Sequence, residues 1–530
     1  MKIYLERKVN NIFKVFTMNN VKSDRWQLEE KISNNGQIRQ FYAGKRILLS
    51  GATGFFGTSI LEKLLRTCLE IDKIYVLIRP KKNMSIKQRM KNYFENTAFD
   101  TLRKVNPNFM SKVEPIYSDL IKDDLAISPE DRRYLKQNVD IIIHNAAEVS
   151  FSATVASTLR INVFGTKYML DLAAECFHLK AFLYVSTAYS NCYTKDIEEK
   201  FYPPPADLKM IEDMIRSDEE AKYGMTDIAV RQMIGKWPNV YTFSKSMAES
   251  LIQNFSHTSV ICAIFRPSIV VGSYEEPVPG WVGNQNGPAI MFIAMSMGLV
   301  HTARVLENCI MDVVPVDLAV NGLLASVWDL CVRKQSKGPQ VYNYGSSFWK
   351  PVHLLGYRKL YHEIIEEYPL NNTIWFPFIV ITENLYVFFV LHFLLHVIPA
   401  ILENFIKLIY FFRGLKLVVK FTKYITTLDH FTNFNWVVEV ENTQNILIYM
   451  NSTDYKEFPF DLGRLDWNKC SRHYFLGIKR NLLNEPLDQI SAARKRFQRL
   501  KILHYTVSII FLLSVVFITY KIICNAFSCQ

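Results

Sequence analysis

The chain has 530 residues, 49% hydrophobic and 21% charged, with only 20 Gly and 20 Pro, which excludes a disordered, collagen-like or low-complexity protein. Its nine Cys are scattered without a C-x-x-C pair, so neither a disulfide scaffold nor a metal site is expected. The net charge of +12, from 62 Lys+Arg against 50 Asp+Glu, suits an anionic membrane surface or a phosphorylated ligand. Nucleic acid is not expected as a partner, because the cations form short clusters without interleaved aromatics.

Residues 1–41 read as a basic leader with no apolar core long enough for a secretory signal. From Lys45 the pattern changes. Arg46–Ser50 reads as a buried strand, Gly51–Gly57 as a glycine turn and Thr58–Leu69 as a helix. Further strands are expected at Lys73–Ile78, Val113–Tyr117, Asp140–His144, Ala181–Val185 and Val260–Phe265, with helix-length segments between them. Short apolar runs alternating with helices predict a doubly wound parallel α/β sheet.

After about Tyr344 the alternation is lost. The very apolar stretch Ile374–Phe412 is interrupted by Pro377, Glu383, Pro399 and Glu403. Its best run, Leu385–Ile398, is shorter than the ~20 residues a spanning helix needs. Buried core helices and a membrane-dipping helical pair are both open readings. Ile502–Tyr520 has no Asp, Glu, Lys or Arg and follows Arg494, Lys495, Arg496, Arg499 and Lys501. It reads as a transmembrane helix with the upstream body in the cytosol.

The glycine turn carries a G-x-x-G-x-x-G spacing through Gly51, Ala52, Thr53, Gly54, Phe55, Phe56 and Gly57. Between a strand and a helix, such glycines allow a tight turn, close approach of a pyrophosphate and close helix–strand packing. This is a Rossmann-type dinucleotide site. The second strand ends in Ile78-Arg79-Pro80-Lys81-Lys82, with cations where an NAD-preferring site offers an acid, so NADP(H) is the expected cofactor. Asp119-Leu120 and Asn145-Ala146-Ala147 follow the next two strands and fit the same pocket.

Tyr241 and Lys245 form Y-x-x-x-K. On a helix they share a face, and the ammonium would favour the phenolate. Thr187, with Ser186 second, is the candidate to hydrogen-bond a reacting carbonyl, and Asn162 is a further candidate near Lys245.

Together these residues resemble the extended short-chain dehydrogenase/reductases and, more narrowly, the fatty acyl-CoA reductases, including those of insects. The motifs that carry the likeness are Lys45–Gly57, Leu77–Lys81, His144–Ala147, Tyr184–Asn191, Tyr241–Lys245, Phe265–Ser268 and Asp312–Asp317. Asn286-Gly287-Pro288, Val341-Tyr342-Asn343, His396–Ala400 and Asn435-Trp436 extend it, the last two into that family's C-terminal male-sterility domain. Ser50 stands where Thr is common in the family.

The resemblance implies a reductase domain over 42–345, a mainly helical domain over 346–490 and a single-pass anchor at 502–520. It implies NADPH-dependent reduction of long-chain acyl-CoA to a primary alcohol through an aldehyde, on an endoplasmic reticulum or peroxisomal membrane. Tyr241 would be the proton donor, Lys245 its activator and Thr187 or Ser186 the carbonyl ligand. Arg266, Pro267 and Ser268 would join the cofactor side. A hydroxysteroid dehydrogenase, a sugar-nucleotide enzyme on the same scaffold and a non-catalytic NADPH-binding membrane regulator are the alternatives. The residues set no oligomeric state.

Overall fold

The computed structural model describes residues 36–80, 84–255, 260–283, 287–334, 338–401 and 411–528. The leader over 1–35, Lys81, Lys82 and Asn286 lie outside them.

Two compact units emerge. The first holds the described residues of Met1–Trp281 with Asp312–Pro351 and Trp436–Asp466; the second holds Val282–Met311, Val352–Asn435 and Trp467–Gln530. Two segments therefore cross the line expected near residue 345. Residues 282–311 group with the second unit. Residues 436–466 join the first, where Val437–Val438 pairs in parallel with Asp196–Ile197 and Thr443 donates to the Asn343 carbonyl at 2.6 Å.

The first unit is built on seven parallel strands: β1 (Arg46–Ser50), β2 (Lys73–Ile78), β3 (Val113–Tyr117), β4 (Ile141–His144), β5 (Ala181–Val185), β6 (Ile261–Pro267) and β7 (Gln340–Tyr344). Their order is β7-β6-β5-β4-β1-β2-β3, and every pairing is parallel. The strands other than the edge strand β3 are buried on both faces, which is why they read as continuous apolar runs. Leu48, Ile142, Phe182 and Ile264 form one core with Met169 and Leu172 of helix α3 (Gly165–Glu175), which follows α1 (Phe55–Thr67) and α2 (Ile86–Tyr93).

The chain runs β1-β2-β3 in one direction and β4 to β7 in the other, so the switch point lies between β1 and β4. Ligands bind outside the carboxyl ends of the strands at such a point. The glycine turn and the Tyr241–Lys245 helix, α4 (Val240–Gln253), both belong to this unit.

The second unit is mainly helical. Its α5 (Leu385–His392) continues through a π-helical turn at Phe393–Val397. Its last helix, α6 (Ile490–Ser528), has 39 residues. The first turns of α6 dock on this unit: Arg494 donates to the Glu367 carbonyl at 2.8 Å, Arg496 to the Thr373 carbonyl at 3.1 Å, and Lys501 pairs with Glu366 at 2.7 Å. Beyond them the apolar residues are exposed, and none of the most apolar window is buried. A single long apolar C-terminal helix thus leaves the body as a membrane anchor would.

Candidate active site

The glycine turn is held by close contacts that no side chain would tolerate. Gly51 has φ +69°, and a Cβ there would lie 2.7 Å from the Ala146 nitrogen. A Cβ on Gly57 would lie 2.1 Å from the Gly51 carbonyl oxygen. Gly54 caps α1 without a side-chain hydrogen bond, so the helix presents its N-terminal amides and positive dipole end.

Register places Ser50 beside His144. Ser50 Oγ accepts from the Asn145 and Ala146 amides, each at 3.0 Å. Its own proton therefore goes to His144 Nδ1, 2.7 Å away. His144 Nε2 then donates to Thr166 Oγ1 at 3.1 Å, and Thr166 donates to the Asn162 carbonyl at 2.7 Å. Burial pushes the His144 pKa down to about 3, with the Lys245 charge adding to it. The ring stays neutral and locks the β1 and β4 loops together. Asn145 Nδ2 also reaches the Gly51 carbonyl at 3.3 Å.

At the end of β2, Arg79 is exposed. Sequence reading missed its companion, Arg89 of α2. The Arg89 guanidinium donates to the Arg79 carbonyl and lies 3.4 Å from Thr53 Oγ1 in the glycine turn. Burial, then the Arg79 charge, lowers its pKa. Neither arginine makes an ion pair among the described residues. Asp119 has one carboxylate oxygen accepting from the Ile121 amide at 3.3 Å in its own turn, and Leu120 packs against Gly165.

On α4, Tyr241 is half-buried. Phe151 meets its ring edge-on at 6.3 Å, and its hydroxyl has no hydrogen-bond partner among the described residues. Burial raises its pKa. Lys245 is buried and donates to the Tyr184 hydroxyl at 3.0 Å and the Val185 carbonyl at 2.7 Å. Burial pushes its pKa down to about 7, against the pull of Glu249. The ammonium is thus engaged by Tyr184 of β5, a residue that reads in sequence as strand core.

Asn162 sits in a π-helical turn, Arg160–Phe164. It donates to Ser244 Oγ at 2.9 Å, and Ser244 donates to the Tyr241 carbonyl at 2.7 Å. Its amide also exchanges two bonds with the Glu148 backbone. Asn162 therefore pins the Tyr241 turn to the β4 loop.

The other predicted residues divide. Thr187 accepts from the Tyr189 amide at 3.2 Å, which leaves its hydroxyl proton free to donate. Ser186 instead donates to Glu249 at 2.5 Å. Arg266 is fully buried, forks onto the same carboxylate at 2.9 and 2.7 Å, and donates to the Glu198 and Lys200 carbonyls. The geometry commits both groups to an internal clamp. Pro267 closes β6 opposite Tyr344. Ser268 is buried with its Oγ unpartnered.

These features fit a dinucleotide: an open helix N-terminus behind a glycine cradle, two unpaired guanidiniums and an orphaned hydroxyl at the strand ends.

Two family models, both described as male sterility protein, match residues 49–323 and 395–485, the first being an NAD-binding model. Fatty acyl-CoA reductase 1 of Rattus norvegicus is 34% identical over 473 residues, covering 88% of this chain and 90% of the relative. Fatty acyl-CoA reductase wat of Drosophila melanogaster is 32% identical over 498 residues, covering 93% and 95%. The likeness is therefore shared by vertebrate and insect proteins and is not special to insects. Among solved structures, the terminal R domain from the myxalamid PKS-NRPS biosynthetic pathway has TM-score 0.55 and 19% identity over 84% of this chain and 93% of that one, a likeness of fold.

Proposed function

The chain belongs to the fatty acyl-CoA reductase family and is a nicotinamide-linked reductase, and we propose that it reduces long-chain fatty acyl-CoA to the primary alcohol with NADPH. The observation that carries the chemistry is Tyr241, a protonated phenol with a free hydroxyl, on the helix whose Lys245 is held by Tyr184. NADPH over NADH is supported by Arg79 and Arg89, which stand unpaired where a ribose-binding acid would otherwise be.

The overall change is thioester plus two NADPH and two protons to alcohol, two NADP and free CoA thiol, by way of an aldehyde. When bound, NADPH supplies the hydride for each reduction; Gly51, Thr53, Gly54, Gly57, Arg79, Arg89, Asn145 and Ser268 would hold it. The chain's own residues manage the oxygen. Tyr241 and Thr187 each have a hydroxyl proton available for the carbonyl oxygen as charge develops on it. Raised by burial, Tyr241 does not ionise near neutrality, so it acts as the proton donor. Lys245, with its pKa near 7, returns the proton together with Tyr184. Loss of thiolate, which takes up a proton to become free thiol, leaves the aldehyde; the same groups then protonate its oxygen as its carbonyl carbon takes hydride from a second NADPH, giving the alcohol.

The first unit carries this chemistry, and α6 tethers the chain to an endoplasmic reticulum or peroxisomal membrane; the basic residues before the span support a body facing the cytosol. The test is purified full-length protein with palmitoyl-CoA and either NADPH or NADH. We expect alcohol and free thiol with NADPH. Tyr241→Phe should keep NADPH binding and lose roughly 10²–10⁴-fold in turnover. Full activity in that variant, or NADPH oxidation with a ketosteroid and none with any acyl-CoA, would refute the assignment.

A further inference from the structure

In the second unit, α5 and its extension to Ile401 present 17 residues with no Asp, Glu, Lys or Arg. Their burial is the inverse of a soluble surface helix. The inward row, every fourth residue, is Phe388, His392, His396 and Ala400. The outward face is Tyr386, Phe389, Val390, Phe393 and Leu394, exposed between 50% and 81%. A continuous apolar stripe of this kind facing outward marks an interaction surface.

The inward histidines need no water. The His301 amide donates to His396 Nε2 at 2.8 Å, which places the His396 proton on Nδ1. That proton goes to His392 Nδ1, also 2.8 Å away. His392 Nε2 then donates to Thr422 Oγ1 at 2.9 Å, and Thr422 donates to the Val418 carbonyl at 2.7 Å. Both rings are neutral and both are fully bonded, as a low-dielectric setting demands.

The same histidines connect this helix to the membrane span. The His301 ring stacks on Phe378 at 4.2 Å, and Phe378 stacks on His504 at 4.9 Å. His504 is the third residue of the apolar stretch of α6 and accepts from Trp375 Nε1 at 3.1 Å. The outward face of α5 therefore belongs to the same packed body as the point where α6 turns wholly apolar. Seventeen residues at 1.5 Å each reach about 25 Å, short of the ~30 Å hydrocarbon core.

We propose that residues 385–401 lie within one leaflet of the lipid bilayer as a second, non-spanning membrane contact beside the anchor, with Tyr386, Phe389, Val390, Phe393 and Leu394 against lipid. Trp375 and Tyr505 beside His504 suit the headgroup boundary. The proposal rests on α6 being a span; it does not rest on the reductase chemistry.

The test uses wild-type full chain in phosphatidylcholine vesicles containing a phosphatidylcholine with a diazirine in its acyl chain. Photolysis is followed by peptide mass spectrometry. We expect lipid adducts on 386–394 as well as on 502–520, and background yield on the peptide holding exposed Tyr223. Adducts on 502–520 alone would overturn the proposal and mean that water, another segment or a second copy covers α5. Adducts on neither would overturn it together with the anchor.

Discussion

Lys245 occupies a place that penalises its charge. It is 2% exposed, and among the described residues its ammonium has only the Tyr184 hydroxyl and one carbonyl to bind. Its folded pKa of about 7 lies below the 10.5 of a free lysine. Between those values the unfolded chain binds more protons than the folded one, so Lys245's contribution to stability improves as pH rises across that window. The proposed role makes activity run the other way, because the protonated form of Lys245 is lost above about 7. Turnover at saturating substrate should fall as pH rises through that value, and Lys245→Met should abolish the inflection along with most of the rate. A pH–rate profile of the parent that stays flat from pH 6 to 9 would contradict the role. The Y-x-x-x-K spacing made this lysine legible, but not its partner. Nor did the sequence reveal that Ser186 and Arg266 share the Glu249 carboxylate, because that clamp joins residues far apart in the chain.

The glycine turn is the element in which local sequence and tertiary contact agree most closely. Its glycines were legible by spacing, yet they are not equivalent. A Cβ at Gly57 would collide with the Gly51 carbonyl oxygen at 2.1 Å, whereas one at Gly54 would meet it at 3.4 Å. Gly57→Ala should therefore cost about 1–3 kcal/mol as an overpacked site and weaken NADPH binding sharply. Gly54→Ala should be much milder in stability. Thermal denaturation and NADPH fluorescence titration of both variants check this, and equal losses would contradict it. Five of the first six strands were legible because strands buried on both faces have few polar residues; β3, half-buried at the sheet edge with Glu114 and Pro115, was legible from its place in the alternation. β7, Gln340–Tyr344, does not read as a strand in the sequence. Its Asn343 looks misplaced in a buried edge strand until its amide is seen donating to the Ile197 and Glu439 carbonyls. Helix α5 reads as a helix in sequence, but composition leaves its setting open between core and membrane: its apolar face points outward and its histidines point in.

At the scale of the molecule, the α/β class, the helical C-terminal region and the apolar last helix were all legible from alternation, its loss and a charge-free run. The interleaving of the two units was not, because residues 436–466 join the first unit through contacts with strands hundreds of positions earlier. The arrangement gives one body with a dinucleotide cradle and the protonated phenol of Tyr241, and another that carries the apolar anchor. The central claim is that a single site reduces a thioester twice, each time with hydride from a fresh NADPH. NADPH deuterated at the transferable C4 position, supplied with palmitoyl-CoA, tests it most directly. The alcohol should carry two deuterium atoms on its hydroxyl-bearing carbon; an alcohol with none, or a monodeuterated aldehyde as the sole product, would contradict it.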